Sequence, residues 1–198
     1  MADAKPPSTS DLLLLMTGLD IVKAPDTIRT PRLVLRRPRP EDAEAIFARY
    51  ASDPEVTRYV GWPVHTSVED TRHFLAFAAA EWEQWPGGPY LIYARGGDLI
   101  GGTGLAFKTP QRAMTGYVLA RDAWGRGYAT ESLQAMTDLA PGCGVRRLYA
   151  ICHTEHAASF HVLEKGGFTR EGVLRRHSIF PNLSPDEPAD VFCYAVTF

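Results

Sequence analysis

The sequence predicts an α+β fold, a mixed sheet with helices on its faces. Three observations carry this. Strand-like and helix-like segments follow in the order β-α-α-β-β-β-α-β-α-β-β, which is no regular βα repeat. The strand Gly116–Ala120 runs through a short two-glycine loop into an amphipathic helix. The last two strand-like segments, Phe168–Val173 and Asp190–Phe198, read as an antiparallel pair.

Size and composition bound the rest. The chain has 198 residues, 45% hydrophobic and 22% charged, with a formal net charge of −2. That fits one compact domain with an appendage. The near-neutral balance excludes the strongly basic character of a nucleic-acid-binding domain. Cys143, Cys152 and Cys193 are odd in number and lack CxxC spacing, so neither a disulfide framework nor a metal site is expected. The longest apolar run, Leu12–Met16, is too short to span a bilayer, and Asp11 and Asp20 flank it. A cytoplasmic protein is expected, with no membrane partner.

Residues 1–27 read as an N-terminal appendage, partly disordered or one short helix, and residues 28–198 as the folded domain. Arg32-Leu33-Val34-Leu35-Arg36 alternates and marks a half-buried strand. Pro40 can open the helix that carries Ala43, Ile46, Phe47 and Tyr50. Asp53-Pro54-Glu55 and Gly61-Trp62-Pro63 are turn signals. Ser67 with Asp70 forms a capping-box start for a helix to Gln84, whose Phe74, Phe77 and Trp82 are assigned to the core. Tyr90–Ala94 and Leu99–Leu105 flank the turn Arg95–Asp98 as a hairpin. A further loop is expected before the strand at Tyr117. After the glycine loop, Ala129, Leu133, Met136 and Ala140 fall four, three and four apart, on one helix face. Arg147–Cys152 reads as a strand, Ala158–Lys165 as a short helix ended by Gly166-Gly167. A loop containing Pro181, Asn182, Pro185 and Pro188 is expected between the last two strands.

The chemistry concentrates in Ala123-Trp124-Gly125-Arg126-Gly127-Tyr128-Ala129-Thr130-Glu131. Glycines allow positive φ and close approach of a ligand to the main chain. The free N–H groups of the first helical turn suit a phosphate, and Arg126 adds a positive charge. Glu131, in the first turn, is read as structural, complementing the helix dipole. A dinucleotide-binding oxidoreductase would need a third glycine and an acid on the next strand. Thr130 and Arg146-Arg147 stand there instead.

Three pieces in order, Thr30–Arg36, Trp124–Glu131 and Ala158–Phe168, resemble the GNAT N-acetyltransferases, and within them the Rim-type (RimJ/RimL-like) branch. The resemblance spans residues 28–198. It implies a mixed, mostly antiparallel sheet flanked by helices, with a V-shaped cofactor cleft where two strands splay. Acetyl-CoA is the implied co-substrate, with no metal. Its pantetheine would run along Tyr117, Val118 and Leu119, where a main-chain N–H holds the thioester carbonyl. Its pyrophosphate would lie on Gly125, Arg126, Gly127, Tyr128, Ala129 and Thr130. An N–H aimed at a developing oxyanion stabilises the transition state more than the ground state.

Two departures from the family pattern stand out. His156 replaces an asparagine that contacts the cofactor in many relatives. Leu163 replaces the tyrosine that many relatives use as the acid for the leaving thiolate. Rim-type relatives use a serine, and Ser159 matches it as the candidate catalytic residue. No general base is singled out among Glu81, Glu83 and His73, on the helix that walls the acceptor site in this family. His153 is read as a polar rim residue and Cys152 as a packed strand cysteine. The implied activity is acetyl transfer to a primary amine, either a protein N-terminus or a small amine, by direct attack in a monomer or homodimer. The acidic residues Asp186, Glu187 and Asp190 could attract a cationic acceptor. The alternative is a GNAT-fold module that binds acyl-CoA without turnover.

Overall fold

A computed structural model describes residues 22–198; the expected helix around Leu12–Met16 lies outside them. One eight-stranded sheet has the order β1-β2-β3-β4-β5-β6-β8-β7. Its strands are β1 (Thr27–Arg29), β2 (Leu33–Arg36), β3 (Pro89–Ala94), β4 (Leu99–Thr109), β5 (Arg112–Leu119), β6 (Arg147–His153), β7 (Thr169–Phe180) and β8 (Ser184–Thr197). Only β5 and β6 pair in parallel; every other neighbour is antiparallel. The sheet is the mixed, mostly antiparallel one that the sequence led us to expect.

Five helices accompany it among the described residues. α1 (Ala43–Ile46) opens on a 3-10 turn at Pro40–Asp42 and continues into a π-helical turn, Phe47–Ala51. α2 is Pro54–Thr57, where the sequence suggested only a turn; the Asp53 side chain accepts from the Glu55 amide and caps it. α3 is Val68–Gln84, and the Asp70 carboxylate accepts from the Thr66 and Ser67 amides at 2.9 and 3.0 Å. α4 is Tyr128–Leu139 and α5 is Ala157–Lys165. The periodic apolar face of α4 does what its spacing predicts: Leu133, Met136 and Ala140 are fully buried against the sheet.

Two expected loops are strand instead. β4 runs on to Thr109 and turns back at Pro110-Gln111 into β5, so no loop precedes Tyr117. β7 and β8 extend to a tight turn at Pro181–Leu183. Pro185 and Pro188 fall on the part of β8 beyond Val191, where β6 has ended. Neither proline has a register partner on β7 or β6, so its missing N–H interrupts no paired position. The N-terminal approach is also ordered against the body from Val22. The Val22 and Ala24 amides donate to the carbonyls of Gly142 and Pro86 at 2.9 and 2.6 Å, and Ala24 is buried in the main core.

Glu131 ties the start of the domain to α4. Its Oε1 accepts from the Thr30 hydroxyl at 2.6 Å and the Arg32 amide at 2.8 Å, and its Oε2 accepts from Arg32 Nε at 2.6 Å. Burial alone would raise its pKa, but the hydrogen bonds from Thr30 and Arg32 prevail and lower it. The residue is structural, through contacts across 99 positions of sequence as well as through the helix dipole. Glu131→Ala should therefore cost about 2 kcal/mol, since several donors lose a charged acceptor. That corresponds to a fall in Tm of roughly 4–8 °C for a domain this size. Thermal unfolding would check it; an unchanged Tm would show that the three bonds contribute nothing net.

Candidate active site

The β5–β6 ladder covers three residue pairs and stops at Met114 opposite Tyr149. Beyond that point β5 continues to Leu119 and β6 to His153, so a gap opens between them. The Ala120 amide donates to the Ile100 carbonyl at 2.8 Å, and Val118 and Gly116 stand opposite Gly102 and Gly104. The amides of Val118 and Gly116 therefore face β4. Strand alternation turns those of Tyr117 and Leu119 into the gap. On the same edge the Leu119 carbonyl accepts the Trp124 indole N–H at 2.6 Å.

The glycine loop closes one end of the gap. Gly125 and Gly127 have φ of 71° and 76°, a region that only glycine enters at little cost. Gly127 is the N-cap of α4 and no side chain caps this helix. Its carbonyl accepts the Glu131 amide at 3.1 Å. The amides of Tyr128, Ala129 and Thr130 thus lack intrahelical partners and point out of the helix end. Arg32 braces the loop: Nη1 donates to the Arg126 carbonyl at 2.8 Å, and the guanidinium lies 4.9 Å from the Tyr128 ring centroid.

Gap and loop belong to one cavity of about 1010 Å³. Of the residues singled out from sequence, Tyr117, Val118, Leu119, Gly125, Gly127, Tyr128, Ala129, Thr130, His156 and Ser159 lie on its wall. Arg126 does not; it is exposed on the outer side of the loop. Leu163, buried and aliphatic, also lines the cavity.

Ser159, in the first turn of α5, meets a partner that sequence reasoning missed. The Tyr117 hydroxyl donates to the Ser159 carbonyl at 2.9 Å and stands 3.2 Å from Ser159 Oγ. Burial raises the Tyr117 pKa, more than the bond to Ser159 lowers it, so the phenol stays protonated. Burial likewise pushes the Cys152 thiol up to about 11, despite a contact with Ser159. That thiol is no nucleophile near neutral pH. Tyr117 was singled out for its main chain alone, because nothing in a strand sequence says which distant helix its side chain reaches.

His156 is the N-cap of α5, and its ring stacks on Tyr59 at 4.5 Å with planes 15° apart. Tyr59 also touches His153, which packs edge-on against Phe180 at 5.1 Å. Burial, then the neighbouring His153, lower the His156 pKa below 6.5, so the ring is neutral at pH 7. His65, on the same wall, is lowered by burial too, and its Nδ1 lies 2.8 Å from the Thr71 hydroxyl.

The three base candidates on α3 stand elsewhere. His73, Glu81 and Glu83 are absent from the cavity wall; Glu83 faces Arg37 at 3.3 Å and His73 faces Glu69 at 3.9 Å. The assignment of Phe77 to the core is also corrected. Phe77 is 56% exposed and, with Phe74, lines the cavity, while Trp82 alone of the three is fully buried. A helical apolar period cannot tell a core stripe from a cavity wall. Among the described residues no helix is long and apolar enough to cross a membrane.

A family model described as an acetyltransferase (GNAT) domain matches residues 32–169. The chain belongs to the GNAT acetyltransferase family. Its relatives include the uncharacterized N-acetyltransferase YoaA of Bacillus subtilis (strain 168), 36% identical over 163 residues, covering 80% of this chain and 90% of that one. A GNAT-family acetyltransferase of Bacillus anthracis superposes with a TM-score of 0.74 at 26% identity, covering 86% and 98% of the two chains. RimL, a ribosomal-protein alpha-N-protein acetyltransferase solved in complex with coenzyme A, does so with a TM-score of 0.76 at 26% identity, covering 87% and 98%. The GNAT enzyme described here is thus an acetyltransferase with the splayed strand pair and glycine loop already in place.

His156 gives this GNAT site a pH signature. Its lowered pKa means that the unfolded chain takes up a proton first as pH falls below 6.5. Its share of stability is complete above that value and is lost as pH falls toward the folded pKa. The Tm of the wild type should therefore fall more between about pH 7.5 and about pH 5.5 than that of His156→Asn. His65 contributes the same trend to both proteins. Equal pH slopes in the two would refute a half-buried His156 held neutral.

Proposed function

We propose that this enzyme transfers the acetyl group of acetyl-CoA to a primary amine by direct attack, with acetyl-CoA held between β5 and β6. The observation that carries the reading is a parallel strand pair that splays directly beside an uncapped, glycine-preceded helix N-terminus. The amides of Tyr128, Ala129 and Thr130 suit the pyrophosphate. Positive-φ glycines at 125 and 127 suit close approach of the phosphates to the main chain. Exposed Arg126 would add its charge from outside the loop.

When bound, acetyl-CoA supplies an acyl group already activated as a thioester. An amide of Tyr117 or Leu119 on the gap edge would donate to the thioester oxygen and favour the charge that develops there. The amine nitrogen bonds to the carbonyl carbon, the carbon–sulfur bond breaks, and the proton lost by nitrogen balances the one gained by sulfur. Ser159 Oγ donates toward the departing sulfur. Tyr117, whose phenol keeps its proton and contacts both oxygens of Ser159, acts as a positioning residue for that hydroxyl. On this proposal residues 28–198 carry the activity, residues 22–27 of the N-terminal appendage pack on them, and the enzyme works in the cytoplasm.

Thiol release from acetyl-CoA in the presence of amines tests the reading. Ser159→Ala should lower kcat roughly ten- to a hundredfold, at or below typical general-acid effects. The KM for acetyl-CoA should change little, because the contact strengthens only as charge reaches sulfur. Tyr117→Phe should lower kcat in the same pattern and by less. Affinity for CoA without thiol release toward any amine would mark a binding module; wild-type kcat in Ser159→Ala would remove Ser159 from the mechanism.

A further inference from the structure

The cavity reaches beyond the gap and the glycine loop, to residues of α3 and β7. Its volume, about 1010 Å³, stands at the top of the range for pockets that hold one small ligand, roughly 300–1,000 Å³. The end away from the glycine loop is walled by Tyr59, Trp62, Phe74, Phe77, Ile179 and Phe180. Phe77 and Ile179 are 56% and 48% exposed there, so large apolar surface faces an open space with nothing of the described chain against it. Large exposed apolar surface inside a concavity marks a binding face.

This end is also built, rather than loosely assembled. Asn182, in the β7–β8 turn, donates from Nδ2 to the carbonyls of Thr57 and Trp62 at 2.7 and 2.9 Å, and its Oδ1 accepts the Val64 amide at 2.8 Å. One side chain thereby fastens the turn that carries Ile179 and Phe180 to the loop that carries Tyr59 and Trp62. The stack of His156 on Tyr59 fixes the inner side.

Its charge is unsuited to a polycation. Among the described residues the only carboxylate on the cavity wall is that of Glu55, which is exposed. Asp186, Glu187 and Asp190, read from the sequence as an attraction for a cationic acceptor, are not on the wall. Glu187 faces Arg176 at 2.8 Å, and Asp190 faces Arg175 at 3.7 Å while accepting the Arg176 amide. A second ammonium group carried into the aromatic end would lose its water without a carboxylate to replace it. A flat apolar ring, by contrast, would exchange water for ring edges and faces.

We infer that the acceptor is a small primary amine borne on an aromatic or similarly flat apolar group, seated against Trp62, Phe74 and Phe77. This rests on the acetyl-CoA reading of the other half of the cavity. The step is the one already balanced: a nitrogen–acyl bond forms, the carbon–sulfur bond breaks, and one proton moves in net from nitrogen to sulfur.

Two measurements on the full chain separate this inference from the reading beneath it. Calorimetric titration with CoA tests the cofactor half; no binding would overturn the acetyl-CoA reading and this inference with it. With CoA binding in hand, thiol release is compared for 2-phenylethylamine, ethylamine, spermidine and a serine-initiated peptide. The kcat/KM for 2-phenylethylamine should exceed that for ethylamine by roughly 30-fold, the equivalent of about 2 kcal/mol for burying a ring. Phe77→Ala, a surface change that should fold normally, should remove most of that advantage through KM while leaving CoA affinity unchanged. Preference for spermidine or the peptide, no difference between the two monoamines, an unaffected ring preference in Phe77→Ala, or failure of 2-phenylethylamine to react would each overturn the inference.

Discussion

The candidate site in this molecule depends on where one hydrogen-bonded ladder ends. β5 and β6 start together at Arg112–Arg147 and part after Met114–Tyr149. Had the ladder continued, the amides of Tyr117 and Leu119 would be consumed by β6 and no volume would exist between the strands. Each strand keeps its outer neighbour: β5 stays paired with β4 as far as Leu119, and β6 with β8 as far as His153. The strands can therefore part without leaving their far sides unpaired, which keeps the cost of the gap to one edge of each. The same parting aims α4 and α5, which follow β5 and β6, at the two sides of one cavity.

The supports of that gap come from far away in sequence. Glu131 and Arg32 fasten α4 and the glycine loop to the beginning of the domain. Tyr117 reaches 42 residues on to hold the first turn of α5. Asn182 reaches back across 125 and 120 residues to fasten the aromatic end of the cavity. In each case a polar side chain bonds main-chain groups of a distant segment, which makes rigid the places where a ligand must be positioned.

Local chemistry made part of this legible from sequence. The glycine loop and α4 could be read because their signals, positive-φ glycines and a four-three-four apolar spacing, lie within a dozen residues. The expectation that phosphate would lie on this loop followed from them. What could not be read depended on partners at long range. Phe77 shows the same periodicity whether it meets a core or a cavity. Pro185 and Pro188 look like loop residues until they are seen to stand on a stretch of β8 with no register partner at either position. The turn at Pro110-Gln111 carries no glycine to announce a hairpin, and the phenol of Tyr117 gives no sign of the serine it holds.

The direct test of the gap is amide hydrogen exchange with and without acetyl-CoA. The amides of Tyr117 and Leu119 on the β5 edge, and of Tyr128, Ala129 and Thr130 at the start of α4, have no partner among the described residues, so a ligand seated there should slow them. Amides of Val118 and Gly116, already bonded to β4, should change little. Slowing at those five positions together is the result expected. Protection confined to other segments, or none at saturating acetyl-CoA, would mean that the opening between β5 and β6 is not where the acetyl donor binds.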